Sequence, residues 1–156
     1  SATRFLRAAA VAVFALAGLA ARRPAAAVEV QRVVSPGGIE AWLVEEHGNP
    51  IISLDLASAA AAKGGLATLV ASTLDEGAGE LDSQAFQKAL SDHSIGLSFQ
   101  AGRDSFGGSL STLTRYSDDA FDLLRLTPTA PRFDAAPVER VRGQLQASLA
   151  RQDQDP

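Results

Sequence analysis

Cysteine is absent from this chain, which excludes a disulfide framework, a thiolate metal site and a thiol nucleophile. Histidine is nearly absent, with His47 and His93 the whole supply of imidazole. His47 lies in a polar loop beside Glu45 and Glu46, and His93 follows Asp92 at a helix end. Each reads as an exposed or capping side chain, because a lone His without a partner at ligand spacing is rarely a site. The pairs Gly37-Gly38, Gly64-Gly65 and Gly107-Gly108 are not followed by Lys-Ser or Lys-Thr, so no phosphate-cradling loop is supported. Ser72, Ser105 and Ser148 lack a Gly-x-Ser-x-Gly elbow and a convincing His base, which argues against a serine nucleophile. No internal repeat is visible.

Methionine is also missing, so Ser1 is not expected to be the encoded start. Arg4 and Arg7 precede an uncharged run from Ala8 to Ala21, and Ala25-Ala26-Ala27 offers a small-residue cleavage site. Residues 1–27 therefore read as a secretory signal peptide, the run being shorter and poorer in large apolar residues than a membrane span requires. Cleavage there removes four Arg and no acid, leaving 10 basic residues against 18 acidic ones, a net of −8. An acidic surface repels nucleic acid and anionic lipid, so neither is an expected partner. The remaining stretch, 28–156, is long enough for one domain with a core.

Along that stretch, Val28–Val34 and Ile39–Val44 flank the turn Ser35-Pro36-Gly37-Gly38 and read as a hairpin. Ile51–Leu56 alternates as a third strand, and Ala57–Lys63 is a low-complexity connector. A helix follows over Gly64–Gly77, then a second one capped by Asp82, with Ala85, Phe86, Ala89 and Leu90 on one side. Ile95–Ala101 alternates clearly and turns through Arg103-Asp104 into a partner strand from Ser105 to Thr114, where Gly107-Gly108 suggests a bulge or a close approach. Ser117 and two following acids start a helix that buries Ala120, Phe121 and Leu124 and ends at Pro128 and Pro131. Asp134 caps a last helix carrying Val138, Val141, Leu145 and Leu149. The order predicts an α+β fold, with helices packed on a mostly antiparallel sheet.

The first helix carries the sequence's most informative stretch. Leu66, Leu69, Val70 and Leu74 form an apolar stripe, and Thr68, Ala71, Ser72 and Asp75 share a second face. Gly65-Leu66-Ala67 resembles the opening of the first catalytic helix of the M16 (insulinase, or mitochondrial-processing-peptidase-like) metallopeptidases. In that family the helix carries His-x-x-Glu-His, and the positions that match hold Thr68, Ala71 and Ser72 here. The stretch Phe133–Arg142 resembles the family's later segment, which places the third ligand position on or next to Ser148. Hydroxyls are poor zinc ligands at neutral pH and a methyl is no base, so all four catalytic positions are degenerate. Asp75 and Glu76 read as a solvated helix end, adjacent helical positions pointing about 100° apart.

The resemblance covers about residues 29–156 and implies an N-terminal fragment of a longer, non-catalytic M16 subunit. It implies an exported, periplasmic or secreted partner of an active zinc peptidase, with zinc expected only in that partner and no cofactor here. An extended peptide could then add to the sheet edge at Ile95, Leu97 and Phe99, since an unpaired edge is a template for another strand. Two other readings stand beside this one. The chain could be a stand-alone binding or structural domain, or a zinc metalloendopeptidase whose ligands are not recognisable.

Overall fold

The computed structural model describes residues 28–59 and 64–152. The expected signal peptide and most of the Ala57–Lys63 connector lie outside the described residues. The chain divides into two compact units, 1–47 and 48–156.

In the first unit, β1 (Val30–Val34) and β2 (Glu40–Val44) form the expected antiparallel hairpin, with Arg32 opposite Trp42. The turn closes through the Ser35 amide donating to the Ile39 carbonyl at 2.8 Å, and Gly38 takes φ +83°, a conformation that favours glycine. Arg32 grips the Glu40 carboxylate with two nitrogens at 2.6 and 2.8 Å. Every strand residue of this ribbon is exposed, Trp42 to 73%.

The second unit holds β3 (Ile51–Ala59), α1 (Gly64–Ala71), α2 (Ser83–Asp92), β4 (Gly96–Ala101), β5 (Ser105–Leu113), α3 (Ser117–Thr129) and α4 (Ala135–Gln152). Its three strands are antiparallel in the order β3-β5-β4. The architecture is thus the α+β arrangement expected, with all pairing antiparallel but divided between two sheets. Alternation fixes the faces. Leu54, Leu110 and Leu97 stand in one row across the sheet and turn the same way, while Asp55, Ser109 and Ser98 turn the other. The apolar side meets Phe86 and Leu90 of α2 and Ala120 and Leu123 of α3, together with Ile95. Asp82 caps α2 as its sequence predicts, accepting from the Ala85 amide at 2.8 Å.

Several local expectations change. The first helix ends at Ala71 and continues as turns to Glu76, and Leu66, placed on the apolar stripe, is 63% exposed. β3 runs on to Ala59, because the short side chains after Leu56 fit opposite Gly107 and Phe106 as well as Leu54 fits Leu110. Gly107-Gly108 is a close approach without a bulge: the register is unbroken, and a Cβ on Gly108 would lie 2.8 Å from the Phe99 ring.

α3 runs through Pro128 instead of stopping there. The carbonyl of Leu124, which loses its usual amide partner to the proline, accepts the hydroxyl of fully buried Thr127 at 2.7 Å. The helix buries Ala120 and partly covers Leu124 as expected, adds Leu123 and Thr127 to the buried side, and leaves Phe121 44% exposed against expectation. On α4 Val141 is buried and Leu149 is 61% exposed, so only the first half of the expected stripe is covered. The Asp134 carboxylate is held by Arg132 at 2.8 Å, and its carbonyl accepts the Val138 amide.

Candidate functional site

Where α1 gives way to turns, its end faces the middle of α4 across a hollow of about 270 Å³. Ala71, Ser72, Asp75 and Glu76 form one wall, Val141, Gln144 and Leu145 the other, and Ser98 and Phe99 of β4 close it. Among the described residues β4 is an edge strand, so the hollow sits at the sheet's rim. Of the degenerate motif positions, Ala71 and Ser72 line the hollow. Thr68 lies one turn earlier, its carbonyl accepting the Ser72 amide at 2.9 Å, and is not part of the lining. Ser148 lies one turn beyond Gln144 on α4, half-buried and also outside the lining. The sheet-edge residues divide likewise. Ile95 and Leu97 belong to the core, and Phe99 borders the hollow, stacked on Phe106 with ring centres 6.1 Å apart.

Asp75 and Glu76 do not form a solvated helix end. The backbone has left the helix by then, so the 100° rule does not separate them, and both line the hollow. The Glu76 side chain is only 15% exposed. It accepts from the Ser83 hydroxyl at 2.7 Å, at the start of α2, and pairs with Arg140 of α4. Burial alone would push its carboxyl up, but the hydrogen bonds from Arg140 and Ser83 and the Arg140 charge outweigh it and hold the pKa below the ordinary glutamate value. At Asp75 burial dominates and raises the pKa, the neighbouring Glu76 charge adding to it, against a hydrogen bond from its own backbone amide and the Arg140 charge, which lower it. The Asp75 carbonyl accepts the Gln87 side-chain amide at 2.9 Å, a second tie from the turn to α2.

Sequence reasoning passed over Gln144 and the Glu76–Arg140 pair. Spacing held a signal for Gln144, which stands three residues after buried Val141. The pair spans elements far apart in the chain and had none.

His93 is a cap with company. Its Nδ1 lies 3.2 Å from an Asp119 oxygen, and its ring stacks on Tyr116 at 4.7 Å, which ties the end of α2 to the start of α3. His47 lies 3.8 Å from Glu45 in the other unit.

The donor set does not fit zinc. The helix face offers two neutral hydroxyls and a methyl, and one of the two nearby carboxylates is already committed to a guanidinium. Among the described residues no group of three or more metal-binding side chains is assembled. No helix among them is long and apolar enough to cross a membrane.

No protein-family model matches the chain. It is 31% identical over 91 residues to the non-peptidase homologue YmxG of Helicobacter pylori, a match covering 58% of this chain and 21% of that protein. In structure it resembles the inactive domain of an M16 peptidase from Pseudomonas fluorescens, with a TM-score of 0.72 at 24% identity, over 83% of this chain and 33% of the other. It also resembles the ferredoxin protease FusC, determined in complex with Arabidopsis ferredoxin (TM-score 0.67, 20% identity, 84% of this chain, 15% of that one). A protease from Helicobacter pylori is similar as well (TM-score 0.66, 16% identity, 83% and 33%). The chain thus spans about a fifth of the length of the curated relative and at most a third of these structures. Its α+β fold is that of the M16 inactive domain, and α1 carries Thr68, Ala71 and Ser72 where the resemblance to that family places His-x-x-Glu-His.

Proposed function

We propose that this chain is exported and serves as the non-catalytic partner of a zinc-bearing M16 peptidase, holding an extended peptide along β4. One observation carries the reading. The rim of the sheet and the end of α1 still frame a hollow, while the side chains that would hold and polarise a metal are replaced by Thr68, Ala71 and Ser72. Losing the chemistry while keeping the frame is what a holding subunit requires: backbone groups of an edge strand supply affinity without any ionisable residue. The complex of FusC with a ferredoxin supports a polypeptide as the occupant.

Affinity capture of the chain from native periplasm tests this. The expected result is a co-purifying chain with an intact His-x-x-Glu-His motif, and substoichiometric zinc on this chain alone. Recovery of the chain from the cytoplasm, or as a monomer without such a companion, overturns the partner role. Stoichiometric zinc on the isolated chain overturns its non-catalytic assignment.

Within the unit, the Glu76–Arg140 pair holds the hollow's walls together, and its strength is pH-dependent with a definite sign. Because the folded-state pKa of Glu76 is depressed, the stability it contributes is present above the ordinary glutamate value of 4.5 and is lost as pH falls through the folded value. Arg140→Met should therefore cost about 1–3 kcal/mol at pH 7, since it leaves a covered carboxylate without its cation. The gap between variant and parent should close as acid protonates Glu76 in both. Urea denaturation at a series of pH values checks this, and a gap independent of pH would refute it.

A further inference from the structure

The buried apolar side chains of the second unit fall into two groups. The core on the sheet takes Phe86 and Leu90 of α2, Ala120 and Leu123 of α3, and Ile95, Leu97 and Leu110, and it includes no residue of α1, its trailing turns or α4. Those elements bury Ala71, Leu74 and Val141 apart from that core. Of the 18 residues of α4, Val141 alone is buried.

The polar links divide the same way. Glu76, in the turns after α1, pairs with Arg140, so these turns and α4 are joined to each other by an ion pair. Two neutral donors join them to α2: the Ser83 hydroxyl reaches Glu76 at 2.7 Å and the Gln87 amide reaches the Asp75 carbonyl at 2.9 Å. The connections from this pair of helices to α2 and α3 meet in one place. There the Gly79 amide donates to the Ala130 carbonyl at 2.8 Å and the Arg132 amide to the Gly77 carbonyl at 3.2 Å. Gly77, Gly79 and Phe133, at φ +125°, +57° and +48°, turn the chain at this joint, and a few such loop positions are where a hinge absorbs its motion.

We propose that α1, its trailing turns and α4 form one lid, which comes away from the flank of β4 as a unit about this joint while the sheet, α2 and α3 stay folded. Closed, the lid covers the Ser98 and Phe99 side of β4 and supplies two walls of the hollow. Open, it bares that side together with Leu74 and Val141. The little apolar area that the lid shares with the rest makes its opening less costly than global unfolding. A helix of 8 residues is marginal in water by itself, so α1 melts once it leaves its seat and its amides report the opening. The apparent affinity of any ligand that takes this flank scales with the fraction of molecules whose lid is open.

The test is native-state hydrogen exchange of the full chain at low guanidinium concentrations, read by mass spectrometry. Amides over 66–74 and over 138–150 should exchange through one opening, with the same dependence on denaturant, and about tenfold or more faster than those of β5. Gln87→Ala, at an exposed position of α2, removes a tie to the lid and should speed both segments alike, by about threefold. Ile95→Val trims the core, which stays packed when the lid opens. It should speed β5 about fivefold and leave both lid segments unchanged. Exchange of either segment at the rate of β5, a response to Gln87→Ala in α1 without α4, or lid segments that follow β5 in the Ile95 variant overturns the lid.

Discussion

Phe86→Ala should lower stability by about 3–5 kcal/mol, the usual cost of emptying a large, closed core position. Phe86 is fully buried where α2 and α3 meet the sheet, among Leu90, Leu97, Leu110 and Leu123, and their backbones are fixed by the β-ladder and by two helices. The cavity can therefore collapse only partly. Domains of this size are commonly stable by about 5–15 kcal/mol, so a loss of that size removes a large share of the total and lowers the melting temperature markedly. Guanidinium denaturation followed by far-UV circular dichroism measures the loss. Phe121→Ala is the control: its ring is 44% exposed, and the expected change is within about 1 kcal/mol. Equal effects of the two would show that the core is not where α2 and α3 place it.

Gly77→Ala has the second large effect, through the backbone. Gly77 takes φ +125°, and a Cβ there would lie 3.0 Å from the Leu81 carbonyl oxygen and 3.2 Å from atoms of Asp82 and Ser83. None of these is a side chain that can swing away. Leu81 is fixed by two hydrogen bonds with Ala78, and Ser83 is tied to Glu76. Conformational strain and overpacking together should cost about 3 kcal/mol or more. Gly143→Ala, in the middle of α4 with nothing within 4 Å of its Cβ position, should instead stabilise by about 0.5–1 kcal/mol. Thermal melts of the two variants beside the parent decide the matter, and a Gly77 variant that melts with the Gly143 one would remove the constraint.

Much of this fold was legible from periodicity. The hairpin, the alternation of Ile95 to Ala101, the cap at Asp82 and the close approach at Gly107-Gly108 all emerged where expected. The misreadings share a cause. A stripe at helical spacing shows which residues could be buried together, but not where the neighbouring element runs out, so Leu66, Phe121 and Leu149 were placed inside and are exposed. Pro128 was read as a stop because a proline breaks a helix unless its orphaned carbonyl finds another donor, and Thr127 is that donor. At the site, the degenerate face of α1 was readable residue by residue. The walls of the hollow were not: Glu76 and Arg140 meet only because two helices and a hairpin fold back between them, and the degree of covering that separates Asp75 from a solvated acid exists only after packing.

The strand order has a kinetic consequence. β4 and β5 are neighbours in the chain and can zip together at once, whereas β3 has no strand to pair with until β5 is made, its ladder starting where Ala59 meets Ser105. On the ribosome, β3 thus emerges first and stays without a mate until α1, α2 and the later hairpin have been made. Through that interval its apolar row, Ile52, Leu54 and Leu56, is open to any other nascent chain, and the speed at which β5 arrives sets how long the hazard lasts.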